Sequence, residues 1–191
     1  MAERRSPAAA YAGRFEAASR GEALRLAELP FLTHVNVRVD PSSPAAKDIG
    51  EALGVALPVE PCTAVRGGSG AGEVTVAWLG PDEWLVVAPE GYRHELLREA
   101  LGDRHGSIVD VSAQRTTLLV TGPRARDLLA HGCALDLHPG VFGPGGCAQT
   151  MLARAQVVLI PREDGFLVLV RSSFAAYLAE WLLDAAAEYL A

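Results

Sequence analysis

Hydrophobic and polar positions alternate cleanly for the first time in 29-LPFLTHVNVRV-39. Thr33, Val35, Val37 and Val39 fall on one face and His34, Asn36 and Arg38 on the other, the period of a half-buried strand. That polar row reads either as a solvated face or as a sheet edge that meets another polypeptide. The pattern then changes to a helical one in 43-SPAAKDIGEALG-54. Ser43 is placed to cap, Pro44 suits the first turn, and Gly54 suits the left-handed residue after the last turn. Ile49 and Leu53, four apart, supply the apolar stripe.

From residue 74 onward a strand, connection, strand, helix unit recurs. Its first copy is VTVAWL (74–79), the turn GPDE, WLVVA (84–88) and the helix 92–101. Its second is SIVDV (107–111), SAQR, TTLLVT (116–121) and the helix 123–132, opened by Pro123 and closed by Gly132. Its third is a long strand over 150–160, the turn PREDG, FLVLV (166–170) and a helix over 173–190. In that last helix Phe174, Tyr177, Leu178, Trp181, Leu182 and Ala185 recur at threes and fours behind a capping Ser173. Paired strands each followed by a helix predict an α+β fold, an antiparallel or mixed sheet with covering helices. The predicted organisation is one domain over 29–191 preceded by an arm, residues 1–28, either flexible or ordered on a partner.

Composition narrows the function. Half of the residues are hydrophobic, so a packed core is expected. A net charge of −6 argues against general nucleic-acid binding, which needs clustered positive charge. No apolar run is long enough to span a bilayer. The charged residues Arg14, Glu16, Arg20, Glu22 and Arg25 interrupt what a secretory signal would need. Three cysteines at no regular spacing suit a reducing cytoplasm better than a disulfide framework. The glycine-rich 66-RGGSGAG-72 lacks the Lys-Ser/Thr and the following helix of a phosphate-binding loop.

The densest collection of reactive side chains is 131-HGCALDLHPGVFGPGGCAQT-150. A zinc site recruits closely spaced Cys or His pairs, whereas His131, Cys133, His138 and Cys147 stand at gaps of two, five and nine. A nucleophilic thiol needs a base and an orienting partner, and no such pattern surrounds Cys133 or Cys147. Pro139-Gly140 and Gly143-Pro144-Gly145-Gly146 mark the stretch as a connection between helix and strand.

The segments 107-SIVDVSAQRTTLLVTGPRARDLLAHGCALDLHP-139, CAQTMLARAQVVL (147–159) and LVRSSFAAYLAEWLLDA (169–185), with 78-WLGPDEWLVV-87, resemble the gamma subunit of heterotetrameric sarcosine oxidase over roughly 29–187. That enzyme demethylates sarcosine oxidatively to glycine and hydrogen peroxide and passes the one-carbon unit to tetrahydrofolate as 5,10-methylenetetrahydrofolate. The resemblance implies a cytoplasmic heterotetramer with alpha, beta and delta partners. It places FAD, FMN, NAD and zinc on those other subunits and leads one to expect no cofactor on this one. It also implies a fold similar to the N-terminal region of T-protein-like aminomethyltransferases. Those enzymes use a carboxylate for folate chemistry. The matching point here is MLARAQVVLI, with Ala155 and Gln156, and neither can accept a proton.

The resulting expectation is a structural or assembly subunit with no catalytic, cofactor or metal residue of its own. Its candidate partner contacts are the arm, His34, Asn36, Arg38, Gln114 and Arg115. Arg115 is suited to a bidentate pair with a partner carboxylate or to an internal pair with Asp110 or Asp127. The alternative is a stand-alone folate-binding module, in which Asp110 would meet the pterin and Arg115 a glutamate tail.

Overall fold

The computed structural model describes residues 4–19, 21–68 and 72–189. Its first half runs α1 (Ala12–Ala18), β1 (Arg25–Leu29), β2 (Thr33–Arg38), α2 (Pro44–Leu53), β3 (Ala64–Gly67), β4 (Val74–Gly80) and β5 (Glu83–Ala88). It continues with α3 (Glu95–Leu101), β6 (Ser107–Asp110), β7 (Arg115–Thr121), α4 (Ala125–Ala130), β8 (Ala148–Leu152), β9 (Ala155–Arg162), β10 (Gly165–Arg171) and α5 (Ala175–Ala186). The expected α+β class holds. The strands form two five-stranded sheets, ordered β1-β7-β10-β9-β8 and β3-β4-β5-β2-β6, with antiparallel registers. Residues 69–71 of the glycine-rich stretch and Leu190 of the last predicted helix lie outside the described residues.

The chain divides into two compact units. One holds the first sheet and is built from the segment ending at Pro30, from Gln114–Pro144 and from Gln149 onward; the other holds Phe31–Ala113 and Gly145–Ala148. The second predicted repeat therefore comes apart. β6 pairs with β2 in the second sheet, while β7 pairs with β1 and β10 in the first. The SAQR connection is where the chain leaves one unit for the other. Hydrophobic alternation marks both strands equally and carries no information on which sheet each joins.

In the first unit, Leu118, Val120, Leu159, Phe166 and Val168 from the sheet meet Leu128 and Leu129 of α4 and Leu178 and Leu182 of α5 in one buried cluster. Each such side chain contributes roughly 1.5–3 kcal/mol. The buried stripe of α5 is Ala175, Leu178, Ala179, Leu182 and Ala186, rotated from the predicted one. Phe174 and Tyr177 are exposed, at 42% and 39%. Alanines let the helix backbone approach closely, and the aromatic rings are displaced to its flank. Ser173 lies within the 3-10 turn Ser172–Phe174, which makes Phe174 the residue before α5, and no side chain caps it.

Within the predicted arm, the Ser19 hydroxyl accepts from the Leu26 amide at 2.8 Å and donates to the Phe15 carbonyl at 2.7 Å, closing α1 onto β1. Glu28 accepts from Ser6 Oγ at 2.5 Å, the Ala8 amide at 3.1 Å and Thr116 Oγ1 at 2.6 Å. The predicted strand over 150–160 is a hairpin. Ala153 takes a left-handed φ of 51°, and with Arg154 turns β8 into β9.

In the second unit, Val35, Val37 and Val39 join Val76, Trp84, Val86, Leu97 and the Ile49–Leu53 stripe of α2 in a separate cluster. The α2 ends are as expected. Ser43 Oγ accepts from the Ala46 amide at 3.3 Å, and Gly54 takes φ 72°.

Candidate functional site

The polar row of β2 is not an edge. β5 lies on one side over Thr33–Arg38 and β6 on the other over Val35–Arg38, so its backbone groups are taken up within the sheet. The three side chains also part company. His34 is buried at 1% exposure, Asn36 is half-buried and Arg38 is exposed. The Asn36 amide donates to Glu83 Oε1 at 2.7 Å, and Arg38 Nη2 lies 3.3 Å from both Asp82 oxygens. Asn36 and Arg38 thus tie the β4–β5 turn to β2. The Arg38 pair is exposed on both sides and is worth less than about 1 kcal/mol.

The cysteine and histidine stretch is a packed connection. Arg126 donates to the carbonyls of Leu137 and Phe142 and lies 5.0 Å above the Phe166 ring. Phe142 stacks on the same ring with centroids 6.5 Å apart. His131 Nε2 is 2.9 Å from the Tyr189 hydroxyl. His138 Nδ1 accepts from the Gly140 amide at 3.1 Å. Cys133 is buried and its backbone bridges to Leu152. Cys147 falls in the other unit, where its thiol donates to the Thr63 carbonyl at 3.1 Å. Burial is the main reason its pKa is pushed up to about 11, and neighbouring Cys62 adds to the shift. No group of three or more His, Cys, Asp or Glu among the described residues could hold a metal ion.

Asp110 and Ser112 form a tight turn after β6. Asp110 Oδ1 accepts from the Ser112 amide at 2.8 Å and from its hydroxyl at 2.5 Å, and these bonds hold the carboxyl below its ordinary range. Asp127 accepts from Arg124 at 2.8 Å. Gln114 is exposed on the 3-10 turn before β7.

Arg115 begins β7, and the register sets Arg171, the last residue of β10, directly opposite it. Both line a cleft of about 460 Å³ whose floor is Val157 and Val158 and whose polar walls include Gln149, Thr150 and Gln156. Among the described residues no acidic side chain lines it. The register thus brings two basic residues to one cleft, an arrangement that like-charge repulsion disfavours across a strand pair. Sequence reading found Arg115 and missed Arg171. Fifty-six residues separate the two, and only the β7–β10 register joins them.

Residues 38–188 match the family model described as Sarcosine oxidase, gamma subunit family. The sarcosine oxidase subunit gamma of Corynebacterium sp. (strain P-1) is 40% identical over 190 residues, covering 97% of this chain and 91% of the relative. That of an Arthrobacter species is likewise 40% identical over 190 residues. A chain of the heterotetrameric sarcosine oxidase from Corynebacterium sp. U-96, solved in complex with pyrrole 2-carboxylate, superposes with a TM-score of 0.89 at 38% identity, covering 98% of this chain and 97% of that one. The glycine cleavage system aminomethyltransferase T from Bartonella henselae shares the fold, with a TM-score of 0.66 at 18% identity over 88% of this chain and 48% of that one.

Proposed function

The chain belongs to the sarcosine oxidase gamma subunit family, and from that premise we propose that it is a non-catalytic assembly subunit of a heterotetrameric sarcosine oxidase. Its partners are the alpha, beta and delta chains, which carry FAD, FMN, NAD and zinc in the cytoplasm. The complex demethylates sarcosine to glycine and hydrogen peroxide and hands the one-carbon unit to tetrahydrofolate. The observation that carries this reading is the extent of the match: nearly the whole of this chain corresponds to nearly the whole of one chain of a solved heterotetramer. The chemistry of the side chains agrees. The 150–160 segment has no Asp or Glu; Ala155 is buried and Gln156 exposed. The Cys147 thiol is held neutral, and Asp110 is committed to its own turn.

The fold suits a role performed by surfaces. Two sheets with separate cores provide rigid faces, and the polar groups that bond within each unit fix its turns. Co-expression with and without this chain is the test. Omission is expected to lower the yield of intact oxidase, and full assembly and turnover without it would refute the proposal. Titration of the full chain with tetrahydrofolate checks the folate-binding alternative: no heat is expected, and saturable heat would favour that alternative.

A further inference from the structure

We infer that the Arg115–Arg171 cleft is a docking site for a carboxylate-bearing surface of a partner subunit. The inference rests on the assembly role proposed above and assigns it a place on the molecule. Three observations converge there. The first is charge: two arginines begin and end adjacent strands at opposed register positions and line one cleft, in a chain whose net charge is −6. Three other arginines of the first unit are matched internally, Arg14 by Glu180, Arg124 by Asp127 and Arg162 by Asp164. Arg171 is exposed and makes no ion pair among the described residues.

The second is the donor set. Arg115 and Arg171 can present forked N–H pairs to a carboxylate. Gln149, Thr150 and Gln156 add neutral hydrogen-bonding groups around them. A carboxylate seated in the cleft would meet the unpaired Arg171 with Arg115 beside it, which is the charge complementarity that steers and registers subunit contacts.

The third is a set of exposed apolar side chains in the same unit, of which Met151 stands on the cleft itself. Met151 on β8, the edge strand of the first sheet, is 45% exposed and lines the cleft. Phe174, three residues beyond Arg171, is 42% exposed and packs edge-on against Tyr177 at 6.4 Å. The Tyr177 hydroxyl accepts from the Arg154 amide in the β8–β9 turn at 3.3 Å, which fixes the aromatic pair beside that hairpin. Methionine, aromatic rings and arginine are the residues enriched where proteins meet. The occupant is therefore an acidic side chain set in an apolar surface of another subunit.

The test uses the co-expressed complex. The Arg171→Glu variant is expected to lower recovery of this chain with its partners at least tenfold, while Arg171→Lys keeps the charge and restores recovery. Carbodiimide treatment of the Arg171→Lys complex should join position 171 to an Asp or Glu of a different subunit, identified by peptide mass spectrometry. Wild-type recovery of Arg171→Glu, or crosslinks confined to this chain or a second copy of it, overturns the docking site. If omission of the chain still collapses the complex in that case, the assembly role survives. Should omission leave assembly intact, it is the assembly role that fails.

Discussion

The backbone amide of Cys147 donates to the carbonyl of Cys62 at 2.8 Å, so two cysteines of opposite exposure lie side by side in the second unit. Cys62 is exposed, whereas Cys147 is buried with its thiol donating to the Thr63 carbonyl. The thiolate is the reactive form. A thiol reagent at pH 8 is expected to modify Cys62 at least tenfold faster than Cys147, with sites and rates read by mass spectrometry. Equal rates would contradict the buried, proton-retaining thiol.

The same thiol gives the fold an alkaline weakness. The folded chain holds the Cys147 proton up to about 11, against an ordinary value of 9.0. The unfolded chain thus loses that proton first, and the contribution to stability is present below about 9 and lost as pH rises toward 11. The loss is up to about 3 kcal/mol, from the conversion of roughly 1.4 kcal/mol per pKa unit. Urea melts at a series of pH values should show this decline, and Cys147→Ala should flatten it.

Trp84 is fully buried and its indole N–H donates to the Pro58 carbonyl at 2.7 Å. Trp84→Phe keeps most of the apolar volume but leaves that carbonyl without its donor, a cost of about 1–3 kcal/mol. Chemical denaturation of the variant is expected to show a loss in that range, and an unchanged midpoint would refute it.

Gly132 closes α4 where a side chain has no room. A Cβ there would stand 2.6 Å from Trp181 Cζ2 and 3.0 Å from the Ala153 amide nitrogen. Gly132→Ala is expected to cost about 1–3 kcal/mol by overpacking and to shift the Trp181 emission. Gly13→Ala is the control. Nothing lies within 4 Å of its added carbon, and it sits in α1, so stability should hold or rise.

Ser43→Ala removes the cap of α2 and should cost about 1 kcal/mol in a thermal or urea melt. This helix was legible to the residue because all its signals are local: a capping hydroxyl, a first-turn proline and a glycine free to take φ 72°. The valine face of β2 was legible for the same reason, since alternation is a property of the strand itself. What lay beside β2 was not, because β6 arrives some seventy residues later and no local pattern encodes that neighbour. The α5 stripe was misjudged by weighting large rings over alanines. Tight helix-to-sheet contact favoured Ala175, Ala179 and Ala186. Half of the arginine cleft was readable, as Arg115, and the other half depended on a strand register.

Building the first unit from three separated segments has a consequence for synthesis. β1 is made early, yet its registered neighbour is β7, with Leu26 opposite Val120. A nascent chain released from the ribosome exit only as far as Ala113 already carries every strand of the second sheet. At that length β1 has α1 but still waits for its strand partner, and the first sheet is completed last.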